Sequence, residues 1–167
     1  MPDPKIILSP EGQELSKSFW AFQIKKITNW LLEKGYTVRY DPDVEDQVDF
    51  ELLEVQICSR SHAETRFYTM LHECGHILIR NGWKQFAKEH PMYAASGDGR
   101  CTRSRAYRVS LIAEEIDAWK RGRRLANRLD LFVRDQKYDK VMTECLMGYI
   151  EWAGGIETAL REENVGK

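Results

Sequence analysis

The sequence predicts an α+β domain in which a small sheet precedes a capped helix and a mainly helical C-terminal half follows. Strand-type alternation is confined to residues 36–57, and apolar residues recur at helical spacing both before and after that stretch. The 167 residues, 43% of them hydrophobic, carry no low-complexity stretch or linker, so the expectation is one domain spanning 1–167 around one core.

The first helix starts at Ser9-Pro10-Glu11, where serine accepts from exposed N–H groups, proline suits the first turn and glutamate meets the positive end of the dipole. Leu15, Phe19, Phe22, Ile27, Trp30 and Leu31 form its expected apolar face, and Gly35 its stop. Residues 36–40 read as a strand, Asp41-Pro42-Asp43 as a turn and residues 48–57 as a second strand. The alternation in that second strand changes phase between Leu52 and Leu53, which predicts a bulge or a strand covered on both faces.

Ser61 with Glu64 spells a capping box, so the next helix should begin near Ala63. It carries Phe67, Met70, Leu71, Cys74, Ile77 and Leu78 and ends at Asn81-Gly82. Residues 82–103, with Pro91 and Ser96-Gly97-Asp98-Gly99, read as a long irregular loop. A helix over 104–134 then places Leu111, Glu115, Ala118, Gly122, Leu125 and Leu129 on one face. Another over 138–152 uses Val141, Met142, Cys145, Leu146 and Tyr149 before Gly154-Gly155, and a short helix with a polar tail closes the chain.

Lys and Arg number 25 against 26 Asp and Glu, so no global field selects nucleic acid or an anionic membrane. Arg100, Arg103, Arg105 and Arg108, continued by Arg121, Arg123, Arg124 and Arg128, are the local exception. They offer a grip for nucleic acid or an acidic segment, but without interleaved aromatics they read as a solvated face. No run approaches the roughly 20 apolar residues of a membrane span, and the three apolar residues after Lys5 are too few for a signal core. A cytoplasmic protein with no membrane partner is expected. Cys58, Cys74, Cys101 and Cys145 form no CxxC pair and read as free thiols.

The chemistry lies in His72-Glu73-Cys74-Gly75-His76. Histidines at i and i+4 share one helix face and can reach one ion, and the glutamate after the first is set around the helix, where it can act as a base. The pattern predicts Zn²⁺ on His72 and His76 and a peptidase in which Glu73 takes the proton of zinc-bound water. A catalytic zinc takes three protein ligands. Ile79 and Gly82 occupy the positions where an HExxHxxGxxH site would have glycine and histidine, which excludes that class. Glu115, on an otherwise apolar helix face, is the candidate third ligand. Glu114, expected to point toward Arg121 and Arg124 with Asp117, and His90, beside Pro91, are the alternatives. Tyr93 and Tyr107 are candidate donors to a tetrahedral oxyanion, and Cys74 is expected to pack in the core.

The segment Arg66-Phe67-Tyr68-Thr69-Met70-Leu71-His72-Glu73-Cys74-Gly75-His76-Ile77-Leu78 resembles the HExGHxL core of the ImmA/IrrE metallopeptidases, with Glu115-Ile116-Asp117-Ala118 matching their downstream glutamate helix. The resemblance covers roughly residues 60–80 and 111–119. It implies a zincin-like fold, one catalytic zinc and cleavage of a protein target, in that family often a helix-turn-helix repressor encoded beside the protease in phages and mobile elements. Trp119 departs from the family, which often has Asn or Asp there. SprT-like proteases are a second resemblance, but their C-terminal CxxC ribbon is missing. A non-catalytic zincin-fold module that binds protein or nucleic acid is the alternative function.

Overall fold

The computed structural model describes residues 17–91 and 104–155. The class is α+β: a three-stranded mixed sheet and five helices among the described residues. Helix α1 (Lys17–Glu33) is followed by strands β1 (Thr37–Asp41), β2 (Gln47–Asp49) and β3 (Glu54–Cys58). Helices α2 (Ala63–Asn81), α3 (Trp83–Glu89), α4 (Arg105–Arg128) and α5 (Asp135–Gly154) follow. The expected helix start at Ser9, Leu15, Tyr93, Cys101, Arg100, Arg103 and the closing helix and tail lie outside the described residues.

Helix α1 turns Trp20, Gln23, Ile27, Trp30 and Leu31 inward. Phe22, expected on that face, is off this i, i+3, i+4, i+7 register and 56% exposed, with Lys26 over its ring. Gly35 ends the helix at φ +85°, a left-handed conformation that glycine adopts without penalty. Tyr36 N–H then returns to Leu31 O at 2.9 Å.

The single strand expected over 48–57 is two strands. Asp49 Oδ1 accepts from the N–H groups of Glu51 and Leu52 and turns the chain, and Leu53 has φ +52°. The phase change therefore marks a hairpin, not a bulge. The central strand β3 pairs in parallel with β1 (Val38 with Val55) and antiparallel with β2 (Val48 with Val55). β2 is an edge strand.

Helix α2 begins at Ala63 as expected, but not through a capping box: the cap residue, His62, makes no side-chain bond. Glu64 instead accepts from Tyr68 Oη at 2.7 Å and pairs with Arg134 and Lys137, since a buried carboxylate gains more from full charges than from a frayed N–H. Residues 83–89, expected to be irregular, form α3, because Gly82 has φ −101° and does not reverse the chain. Trp83 and Phe86 stack there, and Phe86 packs with Ile79 and Ala118.

Helix α4 is capped by Ser104, which accepts from Tyr107 N–H, and stops at Arg128, six residues short of the expected end. Leu131 bonds back to Ala126 O and buries itself, with Asp130 at φ +52°. Helix α5 starts at Asp135 and ends on left-handed Gly155. The core joins Ile27 and Leu31 of α1, Val55 and Ile57 of β3, Phe67, Met70 and Leu71 of α2, and Trp119 and Leu125 of α4. Among the described residues no helix is long and apolar enough to cross a membrane.

Candidate metal centre

The site is set by how closely α2 and α4 cross. A Cβ on Gly75 would lie 2.0 Å from Ala118 O, and one on Gly122 would lie 2.3 Å from Leu71 O. Each helix therefore contributes one glycine to the other's backbone, and any side chain there would force the axes apart. This contact brings Glu115 of α4 against His72 and His76 of α2.

The His72 and His76 Nε2 atoms are 3.1 Å apart, and Glu115 Oε2 lies 3.2 Å from the first and 3.7 Å from the second. Ligand atoms about 2.0–2.1 Å from a tetrahedral ion are separated by about 3.3 Å, so the three donors fit one face of such a shell. Glu115 Oε2 is buried without a hydrogen bond of sound geometry, which fits a carboxylate aimed at a cation. These three residues can hold a metal ion, and no other such group of His, Cys, Asp or Glu occurs among the described residues.

Glu114 does not point toward the arginines. It is buried, and its Oε1 accepts from His76 Nδ1 at 2.6 Å, which leaves Nε2 of His76 free to ligate. Asp117 pairs with Arg121 and Arg124. Arg123 pairs with Asp135 and Asp139, and Arg108 donates to Ala153 O, so this basic surface is partly neutralised. His90, at the C-terminus of α3 with its ring over Phe86, is not part of the donor cluster.

Trp119 is the feature that sequence reasoning left without a role. Its ring lies parallel to His72, with centroids 4.4 Å apart and planes 21° apart, so stacking orients this imidazole where a carboxylate orients the other. Tyr138 fixes Trp119 in turn, meeting it edge-on at 5.3 Å and donating its hydroxyl to Trp119 O.

Glu73 is 3% exposed and lines the same cleft, of about 670 Å³, as the donors. Burial pushes its carboxyl up to about 8, with His76 opposing and Glu115, Asp46 and Glu114 adding to the shift. Burial also holds His72 below the usual imidazole range. It would lower His76 as well, but the hydrogen bond to Glu114 and the surrounding carboxylates raise that group to about 11. Glu115 is held down to about 2 because the two imidazoles outweigh its burial. Cys74 is buried in the core cluster, as expected.

Two lining residues were expected only to pack. Cys145 and Tyr149 of α5 face the cleft, not the core. Burial and the adjacent Glu115 push the Tyr149 phenol well above its usual range, so it remains a proton donor. Their i, i+4 spacing gave the face they share, but not what that face meets. Tyr107 sits in the first turn of α4. A larger cavity of about 790 Å³, at the N-terminal end of α2, is lined by Lys17, Arg66 and Lys137 and lies apart from the donor cluster. Comparison with protein-family models, curated proteins and solved structures finds no match to this chain.

Proposed function

We propose that this chain is a zinc-dependent endopeptidase of zincin-like fold, acting on a protein target. The observation that carries the reading is the convergence of His72, His76 and Glu115 donors beside a buried Glu73 in one open cleft. The donor set favours zinc, which commonly takes two imidazoles, a carboxylate and one open position in peptidases. When bound, zinc supplies Lewis-acid polarisation of a carbonyl and a water whose pKa falls to about 7.

The chain's own residues divide the remaining work. Glu73 accepts the proton of the attacking water and returns it to the leaving amine, a task suited to a carboxyl raised toward neutrality. Glu114 and Trp119 hold the two imidazoles, and Tyr149 offers its hydroxyl to the oxygen that gains negative charge. The likeness to ImmA/IrrE proteases supports a regulatory protein as target.

The test is metal analysis and proteolysis of the purified protein beside its Glu73→Gln variant. About one zinc per chain in both, with cleavage reduced by about 10²–10⁴ in the variant, is the expected result. Normal cleavage by the variant would overturn the mechanism. Stoichiometric zinc without cleavage of any protein would point to a non-catalytic binding module.

A further inference from the structure

The cleft carries more negative charge than hydrolysis requires. Five carboxylates line it, Glu45, Asp46, Glu73, Glu114 and Glu115, and no lysine or arginine does among the described residues. Glu115 faces the cation position, Glu114 faces His76 and Glu73 is the base. Glu45 and Asp46 stand apart from this work, in the segment leading into the edge strand β2. A dication on the triad would not also neutralise Glu45 and Asp46.

Asp46 is fixed in place. Its Oδ1 accepts from Cys58 N–H at 2.6 Å, which ties the carboxylate to the end of β3. It lines the cleft together with Glu73 of α2 and with Cys145 and Tyr149 of α5, so the carboxylate is held beside both helices. Glu45 is exposed beside it. The buried, unbonded Glu115 Oε2 also points into this space, so the floor and the wall both present negative charge. An acidic segment would meet like charge here, and like-charge repulsion is an effective means of exclusion.

We infer that the cleft selects a peptide segment carrying a lysine or arginine side chain beside the bond held at the triad, with Asp46 as the specificity-determining residue and Glu45 supporting it. The inference rests on the peptidase reading for the nature of its ligand. Binding and cleavage separate the two.

Binding is measured by fluorescence anisotropy on zinc-loaded Glu73→Gln protein, using short alanine-rich peptides that differ only in a central Lys, norleucine or Glu. The Lys peptide is expected to bind about tenfold more tightly than the norleucine peptide at low salt, with the Glu peptide weakest, and the spread should shrink as salt rises. Asp46→Asn, which keeps an acceptor for Cys58 N–H, removes most of the Lys advantage, whereas Glu51→Gln on the hairpin turn leaves it intact. Equal binding of all three peptides, no binding of any, or an advantage unchanged in a Glu45→Gln/Asp46→Asn double variant overturns the inference. Cleavage by the unsubstituted protein is read separately. A Lys preference without turnover sinks the peptidase reading alone, and cleavage indifferent to basic residues sinks the inference alone.

Discussion

His76 donates its Nδ1 proton to Glu114 Oε1 across the α2–α4 interface at 2.6 Å, while its Nε2 faces the donor triad. The carboxylate fixes the tautomer and raises the basicity of the ligating nitrogen. Glu114→Gln preserves the shape and removes the charge. Zinc affinity should fall about 10–100-fold, measured by competition with a chromogenic chelator.

Tyr149 faces the same cleft from α5. Tyr149→Phe removes one donor and keeps the ring. A loss of about 10² in kcat with KM and zinc content unchanged is expected from steady-state kinetics on a protein substrate. A change in KM alone would place Tyr149 in substrate binding.

Glu64 anchors the other end of α2. Burial alone would raise its pKa, but hydrogen bonds from Arg134 and Tyr68 and the charge of Lys137 outweigh burial and lower it from 4.5. A depressed folded value means that the stabilisation is complete above the unfolded pKa and is lost as pH falls through the folded one. Glu64→Gln should therefore cost about 1–3 kcal/mol at pH 7. In urea denaturation the gap between the two proteins should close below about pH 4.

Gly75 has the Ala118 carbonyl where a Cβ would go. Gly75→Ala adds one methyl against backbone, which cannot rotate aside, so a loss of about 1–3 kcal/mol in stability is expected. Zinc titration of the folded fraction should show weaker binding as well, because moving α4 outward moves Glu115.

The parts of this molecule that were legible in the sequence are those written by local periodicity. Helix α2 with its histidine pair, the glycine stop of α1 and the face of α4 that carries Glu115 all follow from spacing within one element. The placement of Glu114 does not. Its neighbours Arg121 and Arg124 suggested a solvated side, and only the close approach of α2 turns that side into a buried wall bearing His76. Ser61 and Glu64 spelled a cap, yet Arg134, seventy residues away, takes the glutamate. Val48 to Ile57 read as one strand because the Asp49 turn uses residues with no glycine or proline to announce it. Trp119 was an anomaly in the linear pattern and becomes intelligible only once the His72 ring lies beneath it.

The paired notches at Gly75 and Gly122 also give the crossing a linear spelling: a glycine directly before the second histidine, and two adjacent glutamates with a glycine seven residues past the second. A chain that keeps this spelling while the rest of its sequence drifts retains the distance on which its ligands depend. One that fills either notch has had to part its helices. The two residues with no side chain thus serve as a fingerprint by which this arrangement can be sought where overall similarity has faded.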